Sequence, residues 1–291
     1  METSLGSLAF CMVINLLSGN PLTIEEEIYN DRSHFVVSTE SAIYYLDKAG
    51  GGLSSIIDCD GIDWVHYNGS PHAKVPDGAS GGFRGLPNFV FRSDDGGAGH
   101  PGFDQCISEQ IDSNAIRTKS KSGKWVWLWR FHDDHVELTM ERTDPNHSYW
   151  FLYEGPVAGS FNPYLKYWGT DLGGPRYEVP SLNHGESIAD TWQWAYFGDQ
   201  ETNRVFFVAQ QEHDHLNDIF SYMGNSGAGK DAEDGMVVFG FGRGTGAQSL
   251  MTAENVTFRF GFLERKIITQ EDHEWAAACI EQMHRHKSNL H

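Results

Sequence analysis

Residues 123–144 constrain the fold of this chain more than any other segment. Every second residue is large and apolar on both sides of the polar sequence His132-Asp-Asp-His135: Trp125, Trp127, Trp129 and Phe131 before it, and Val136, Leu138 and Met140 after it. Successive side chains of a β-strand point to opposite faces, so this alternation predicts two strands joined by a polar hairpin turn. One face of the hairpin is almost wholly apolar and must be buried against a second layer.

The same pattern with period two recurs along most of the chain. It predicts strands within residues 34–67, a second hairpin over 191–212 that turns at 198–203, and further strands at 235–243 and 255–265. Glycine-rich or Asp/Gly-rich turns separate the early strands, at Lys48-Ala-Gly-Gly-Gly52 and Asp58-Cys-Asp-Gly61. Many long strands in succession indicate a large antiparallel sandwich.

Residues 269–287 form the one segment with a helical pattern. Thr269 and Asp272 have the spacing of a capping box, and basic residues end the segment. We therefore predict an all-β fold, a large antiparallel β-sandwich of the supersandwich type with a short C-terminal helix. It forms a single domain over residues 21–291.

The charge and the N-terminal segment bear on partners and location. A net charge of −19 would repel duplex DNA and anionic membranes, so we expect neither nucleic acid nor a membrane as a partner. Residues 5–17 are apolar but too short to span a bilayer, and they resemble the core of a secretory signal. We therefore expect residues 1–20 to be a signal peptide and the protein to be secreted or periplasmic. The alternative is a buried N-terminal segment in a cytoplasmic protein.

The first group of candidate site residues lies in residues 83–102, which contain two prolines, five glycines and several cationic or amide side chains. Arg84, Asn88 and His100 are the candidates, with Arg92 a weaker one. A fixed guanidinium, a carboxamide and an imidazole together suit the binding of a carboxylate or of several sugar hydroxyls. The alternative is a structural loop in which Arg84 binds backbone carbonyls.

The second group is the histidine pair after the strand ending at Gln210. His213 and His215 are two residues apart, so on an extended segment they would face the same side and act as a base or as sugar contacts. A metal would need a third ligand, and neither this pair nor the spacing of the four cysteines supplies a recognisable set. We therefore predict no metal and no cofactor. The turn His132-Asp-Asp-His135 is interpreted as a polar hairpin turn.

The third group combines aromatic and basic residues. Sugar rings stack on Trp and Tyr, while cationic and amide groups bind hydroxyls, so this mixture suits a carbohydrate. The glycine-rich residues 239–246 precede no helix, which excludes a phosphate-binding loop and leaves the arginine there to face a cleft at the sheet edge. The candidates are Tyr164, Tyr167, Arg176, Trp192, Trp194 and Arg243.

The opening strands, "YYLDKAGGGLSSIIDCDGIDWV" at residues 44–65, resemble those of the galactose mutarotase-like supersandwich proteins. The resemblance covers residues 33–265 and implies a sugar or polysaccharide ligand on a concave sheet. Epimerases of this type use a His as acid and a Glu as base, which would assign His100 or His213 with Glu264. The motif of the type Asn-His-Thr-Tyr-Phe expected around the epimerase histidine is absent, which argues against that assignment.

These observations favour a polysaccharide lyase that cleaves a glycan containing uronic acid by β-elimination. Arg84 and Asn88 would neutralise the substrate carboxylate, His100 or His213 would be the base, and Tyr164 or Tyr167 the acid. The partner would be a polysaccharide or oligosaccharide, and the oligomeric state is not predicted.

Two other functions remain open at this point. One is an aldose epimerase or glycoside hydrolase acting on neutral sugar with a carboxylate pair, drawn from Glu154, Glu186, Glu212 and Glu264. The other is a non-catalytic carbohydrate-binding module, in which the aromatic residues bind and nothing reacts.

Overall fold

The period-two segments fold into strands in a computed structural model that describes residues 22–69, 84–225 and 228–285. The strands are Thr23–Tyr29 (β1), Arg32–Ser38 (β2), Ala42–Asp47 (β3), Leu53–Asp58 (β4), Gly85–Asn88 (β5), Cys106–Asp112 (β6), Ala115–Ser120 (β7), Val126–Phe131 (β8), His135–Arg142 (β9), Phe151–Gly155 (β10), Lys166–Thr170 (β11), Gly173–Arg176 (β12), Ile188–Asp190 (β13), Trp194–Asp199 (β14), Val205–Gln210 (β15), Asp218–Gly224 (β16), Gly235–Phe241 (β17), Arg243–Gly244 (β18), Gln248–Ser249 (β19) and Val256–Leu263 (β20). The helix is Gln270–Arg285 (α1), and short 3₁₀ turns lie at Val157–Gly159, Pro163–Leu165, Leu182–His184 and Gly229–Asp231.

Two large antiparallel sheets account for most strands of the described ranges. The first sheet has the order β1-β2-β3-β4-β5-β10-β17-β16-β13, and the second has the order β12-β11-β14-β15-β20-β9-β8-β7-β6. The predicted all-β sandwich with one C-terminal helix is confirmed, and both predicted hairpins are present as β8–β9 and β14–β15. The predicted signal segment at residues 1–20 lies outside the described residues.

The core between the sheets is largely aromatic. The residues that alternate along β8 and β9, such as Trp127, Trp129 and Leu138, are fully buried, as the sequence pattern requires. From the first sheet, Phe151 of β10 stacks on Phe258 of β20 with ring centroids 4.2 Å apart. Rings of this size supply much of the buried apolar area that stabilises the sandwich.

The first sheet also carries apolar residues on its outer face, away from the core. Along β10 and β17 the residues between the core positions form, with two neighbouring rings, a separate buried cluster that we call the outer patch: Phe91, Trp150, Leu152, Met236 and Val238. The five residues are at most 7% exposed, so other side chains cover this part of the outer face.

Helix α1 covers part of the outer face of the second sheet, with Ala276 and Ile280 among aromatic residues of β14 and β15. Its N-terminus has the predicted capping box. The amide of Thr269 donates to Oδ2 of Asp272 at 2.9 Å, and the amide of Asp272 donates to Oγ1 of Thr269 at 3.1 Å. Among the described helical segments, none combines the length and the hydropathy that spanning a bilayer requires.

Strand β1 forms one edge of the first sheet and is mostly exposed. Its central residues Glu25, Glu26 and Glu27 carry carboxylates along this edge, and only the carboxylate of Glu26 is paired in the described structure, with Lys48 at 2.7 Å. Charged residues on an edge strand disfavour pairing with another chain.

Candidate functional site

A charged residue at the centre of the outer face of the first sheet defines the candidate site. Glu154 lies on β10, opposite Gly85 of β5 on one side and Val238 of β17 on the other. The alternation along β10 sends Tyr153 into the core and Glu154 to the outer face. Its side chain is nevertheless only 7% exposed, and a carboxylate so buried requires partners.

The first partner is an imidazole. Nε2 of His100 lies 3.3 Å from Oε2 of Glu154, within ion-pair range but without the alignment of a hydrogen bond. Nδ1 of His100 lies 2.7 Å from the carbonyl oxygen of Pro101, which can only accept, so Nδ1 carries a proton. Nε2 is therefore the ring nitrogen that can exchange a proton with Glu154 or with a bound molecule.

The second partner fixes the other carboxylate oxygen. Nδ2 of Asn88 donates to Oε1 of Glu154 at 3.1 Å, and Nε1 of Trp150 donates to Oδ1 of Asn88 at 3.3 Å. The indole can only donate, so it determines which end of the Asn88 amide faces Glu154. The chain from Trp150 through Asn88 and Glu154 to His100 is a pre-oriented polar network on an otherwise apolar patch.

Two arginines lie on the rings of the outer patch. The rings of Trp150 and Phe91 stack with centroids 4.6 Å apart. The guanidinium carbon of Arg243 lies 5.2 Å from the ring centre of Trp150, and that of Arg92 lies 4.8 Å from the ring centre of Phe91. Burial lowers the pKa of Arg243, although the nearby charge of Glu154 acts to raise it. Within the described residues, Nε of Arg243 is buried and has no hydrogen-bond partner. We call His100, Glu154, Asn88, Trp150 and Arg243 the His–Glu cluster.

A cleft of about 680 Å³ is lined by Tyr67, a neighbour of His100, and none of the His–Glu cluster is among the described residues that line it. The ring of Tyr67 meets the ring of His100 edge to face, with centroids 6.4 Å apart. The described residues that line the cleft are mostly polar: Asn30, Asp31, Arg32, His66, Tyr67, Asn68, Gly69, Arg84 and Gly102. A polar cleft next to a proton-exchanging pair suits a hydroxyl-rich ligand.

Arg84 precedes Gly85, which packs against the loop that carries His100, and it is held in a structural network. A Cβ added to Gly85 would lie 3.1 Å from Nε2 of His100, which shows how closely this loop packs. Nε of Arg84 donates to the carbonyl oxygen of Gly235 at 3.1 Å, and the guanidinium is paired with the carboxylate of Asp234. The prediction that Arg84 neutralises a substrate carboxylate is corrected, because its charge is already compensated in the interior and burial lowers its pKa to about 10.

Tyr164 and His213 do not belong to this site, and they lie at opposite ends of the second sheet. Tyr164 lies just before the first residue of β11. His213 follows the last residue of β15, at the end of the sheet where the last residue of β11 pairs with Ala195 of β14. The hydroxyl of Tyr164 donates to Oδ1 of Asp231 at 2.8 Å, and this bond raises its pKa. The fold therefore does not bring together this acid and this base of the lyase hypothesis, and Tyr164 is held in its neutral form rather than activated.

Tyr167, Trp192 and Trp194 are core residues, which corrects their assignment as sugar contacts. The hydroxyl of Tyr167 accepts the amide of Ile267 at 3.1 Å under helix α1, where Trp194 also packs. Nε1 of Trp192 donates to the carbonyl oxygen of Gly240 at 3.0 Å between the sheets. With at most 3% of each residue exposed, none offers a ring face to a ligand.

The remaining candidates lie outside the cluster. His213 and His215 stand in the loop after β15 with ring centroids 4.2 Å apart, and His215 has a positive φ of 58°, so the predicted strand geometry is wrong. Arg176 lies on edge strand β12, with its guanidinium carbon 4.9 Å from the ring centre of Trp168. Glu264 pairs with Arg204 at 2.5 Å near the surface.

Glu154 was only one of several candidate carboxylates in the sequence, and Trp150 was not predicted as a site residue. Residues 149–155 contain a local signal for Glu154 and its neighbour Trp150, because one carboxylate interrupts an otherwise apolar strand. A single charge within such a run has to find partners when the strand is buried on both faces.

Comparisons with known proteins agree with this architecture. No family model matches the chain, and neither does any curated protein. The solved structure of HI1317 matches with a TM-score of 0.54 and 10% sequence identity, over 85% of this chain and 98% of that one. A galactose mutarotase related enzyme from Lactobacillus acidophilus matches with a TM-score of 0.49 and 7% identity, over 80% of this chain and 100% of that one.

A galactose mutarotase-like protein from Lactobacillus casei matches with a TM-score of 0.47 and 9% identity, over 79% of this chain and 99% of that one. Galactose mutarotase-like proteins, which residues 44–65 resemble, are thus among the solved structures that match the chain. At these identities the likeness shows the fold alone.

Proposed function

We propose that this chain is a carbohydrate-active enzyme that interconverts the anomers of an aldose, with His100 and Glu154 as its proton-transfer pair. The observation that carries the proposal is the contact of 3.3 Å between Nε2 of His100 and Oε2 of Glu154 on the outer face of the first sheet. The sugar as substrate class follows from the resemblance of residues 44–65 and from the polar cleft beside the pair.

Anomer interconversion needs one proton removed and one proton supplied. The hydroxyl on the anomeric carbon loses its proton to a base while the ring oxygen gains one from an acid, so the bond between the anomeric carbon and the ring oxygen breaks. The open-chain aldehyde rotates, and the reverse steps close the ring on the other face. No electrons are exchanged with any other molecule, and the catalyst ends as it began.

The cluster contains groups suited to both proton transfers. As a carboxylate, Glu154 is the base, and His100 with both ring nitrogens protonated is the acid. The backbone carbonyl of Pro101 orients the imidazole, and Asn88 orients the carboxylate, so neither group has to reorganise when the sugar binds. The indole of Trp150 holds Asn88 in turn.

Arg243 bears on the choice of sugar. Its guanidinium lies on Trp150, its Nε is buried with no partner in the described part of the chain, and Glu154 is close enough to affect its pKa. A cation so placed favours a substrate with an anionic substituent, such as a sugar phosphate or a uronic acid.

A polysaccharide lyase is the second candidate, and Arg243 is the observation that favours it. In this mechanism Arg243, rather than Arg84, neutralises the uronate carboxylate, and the His100–Glu154 pair removes the proton from C5. The bond from C4 to the leaving oxygen breaks, a double bond forms between C4 and C5, and the leaving oxygen gains a proton.

The test is anomer exchange measured by NMR magnetisation transfer. Glucose, galactose, their 6-phosphates and glucuronate are each incubated with the full chain, and exchange is compared with the spontaneous rate. We expect acceleration that is lost in Glu154→Gln and kept in Glu186→Gln, which changes a carboxylate outside the cluster that accepts the amide of Ser181 at 3.0 Å. Ultraviolet absorbance is followed in parallel on alginate, pectin, ulvan and glucuronan.

The outcomes separate the candidates. If no sugar shows acceleration and the absorbance of unsaturated uronates rises, the epimerase proposal is rejected and the lyase proposal is supported. Neither signal in a folded protein would overturn both proposals. Acceleration that survives Glu154→Gln would leave an epimerase whose proton-transfer pair is not the one assigned here.

A further inference from the structure

The β8–β9 hairpin brings two imidazoles and a carboxylate together on the outer face of the second sheet. The amide of His132 donates to the carbonyl oxygen of His135 at 2.9 Å across the turn, so the two residues lie opposite each other. Their rings are nearly parallel, with centroids 4.5 Å apart and planes at 12°. Glu137 follows His135 by two residues along β9 and therefore projects from the same face.

The ligand atoms of these three residues converge. Nε2 of His132 lies 3.5 Å from Oε2 of Glu137, and Nε2 of His135 lies 3.9 Å from Oε1 of the same carboxylate. One ligand atom from each residue lies within 4.8 Å of the others. Ligands about 2.0–2.1 Å from a tetrahedral zinc ion are about 3.3 Å apart, so small side-chain adjustments bring this set to coordination distance.

Two hydrogen-bonding features prepare the imidazoles to bind a cation. Nε2 of His132 is a buried nitrogen with no hydrogen-bond partner in the described part of the chain, an arrangement that native structures seldom keep without a reason. Nδ1 of His135 lies 2.7 Å from Oδ1 of Asp134, which leaves its Nε2 directed to Glu137. A carboxylate behind a histidine in this way orients and strengthens metal-binding imidazoles in proteins.

The two oxygens of Glu137 have different neighbours. Oε1 accepts a hydrogen bond from Nε of Arg259 at 3.0 Å, and Oε2 faces Nε2 of His132 at 3.5 Å. Oε2 is therefore the oxygen that lies nearer to the imidazole of His132.

We propose that His132, His135 and Glu137 form a binding site for a divalent transition-metal ion of the zinc class. Two histidines and one carboxylate are a ligand set that zinc accepts, with water completing the coordination. The proposal is independent of the sugar chemistry, because the His–Glu cluster belongs to the first sheet and this set belongs to the second. It also changes the interpretation of His132-Asp-Asp-His135 from a polar turn to a ligand-bearing turn.

The position of the set indicates what the ion would do. It would join β8 to β9 at their turn, and Arg259 connects Glu137 to helix α1 by donating from Nη1 to the carbonyl oxygen of Met283 at 3.4 Å. Metal binding to the native state alone stabilises the fold. We therefore expect the ion to strengthen the hairpin and the end of α1 that packs there.

The experiment uses the full chain freed of metal and titrated with Zn²⁺ against a chromophoric chelator. We expect one equivalent bound in the wild type, with affinity reduced at least tenfold in His132→Gln and in His135→Gln. The matched control is the double variant His213→Gln/His215→Gln, which removes a second pair of close imidazoles and is expected to bind as the wild type does. Co²⁺ gives an independent signal, because low-symmetry coordination produces intense visible bands.

Several outcomes would overturn the proposal. They are wild-type protein without stoichiometric binding, unchanged affinity in both single variants, or an equal loss in the control. If a single variant fails to fold, the imidazole NMR signals of wild-type protein decide, since Zn²⁺ should shift those of His132 and His135 and leave those of His213 and His215 in place.

Discussion

Nε2 of His100 lies 3.3 Å from Oε2 of Glu154, although one residue comes from a loop and the other from the centre of a sheet. The loop that carries His100 can approach the sheet because residue 85 is a glycine. A Cβ atom at Gly85 would lie 2.6 Å from Cδ of Pro101, which is too close. A buried imidazole and a buried carboxylate in contact form a single acid–base unit.

The first prediction follows from that unit. His100→Gln and Glu154→Gln should each slow anomer exchange by at least about 100-fold, because each removes one of the two proton-transfer groups. The double variant should be hardly slower than either single one, since the remaining partner cannot act alone. Magnetisation-transfer rates on the three variants test this, with circular dichroism to confirm folding. Losses that multiply would show that the two residues act independently.

The second prediction concerns the indole that orients Asn88. Trp150→Phe keeps the ring stacked on Phe91 but removes the hydrogen bond to Asn88, so it should cost about 1 kcal/mol of unfolding free energy and also slow turnover. Trp192→Phe is the matched control, since it removes an indole bond to Gly240 in the core. It should lower stability by a similar amount and leave turnover unchanged. Urea denaturation and exchange rates measure both effects, and equal turnover in the two variants would contradict the positioning role.

The third prediction separates substrates by charge. Arg243→Met keeps an apolar side chain on Trp150 but removes the cation, so the KM of an anionic sugar should rise about tenfold while that of a neutral sugar stays unchanged. Arg176→Met removes a cation that lies on Trp168 in the same manner, away from the cluster, and should change neither. The measurement is KM and kcat on glucose, glucose 6-phosphate and glucuronate. A loss shared by neutral and anionic sugars would give Arg243 a structural role.

Local patterns in the sequence determine most of the fold. The alternation around Trp127 and Leu138 fixed both the strands and their buried face, because a one-residue change of register would expose the whole apolar set. Thr269 and Asp272 located the start of α1 from spacing alone. Each of these features depends on residues close together in the chain.

The site depends on contacts between distant residues, which periodicity does not encode. Trp192 and Trp194 resemble sugar-stacking rings in the sequence, yet the helix and the opposite sheet cover them. Arg84 resembles an anion-binding residue in the sequence, but in the folded protein it is paired with Asp234, which is distant in the chain. Asn88 and His100 have residue types suited to a binding site, but no local feature of the sequence joins them to Glu154.

The fourth prediction tests the structural role of Arg84. Arg84→Gln removes the cation that is paired with the largely buried carboxylate of Asp234, leaves it with neutral donors such as the amide of Gly235, and should cost about 3 kcal/mol. Adding Asp234→Asn should recover part of that loss, so the two changes will not be additive. On the surface, Arg117 pairs with Glu141 at 2.8 Å, and Arg117→Gln should cost less than about 1 kcal/mol. Equal costs at the two sites, measured by denaturant unfolding, would contradict the structural role of Arg84.

The fifth prediction is a pH dependence at the start of α1. Burial acts to raise the pKa of Asp272, but hydrogen bonds from Thr269 and Ile268 and the charge of Arg265 outweigh it, so the pKa is lowered. The stabilisation is therefore present above the pKa of the unfolded chain, about 4, and is lost as the pH falls through the lower folded value. Asp272→Asn should cost about 1 kcal/mol at neutral pH and progressively less in acid.

Unfolding free energies between pH 2 and 7 for wild type and Asp272→Asn test this, with the more exposed Glu274→Gln in the same helix as control. A cost that stays constant over this range would show that the charge of Asp272 is not what stabilises the helix start.

The row of carboxylates on β1 has a consequence for how copies of this protein meet. The open backbone groups of an edge strand can pair with a neighbouring chain, and the carboxylates along β1 oppose that pairing. Two copies approaching through this flank would bring like charges face to face while their backbones began to pair. The negative charge along this edge therefore disfavours self-association through β1.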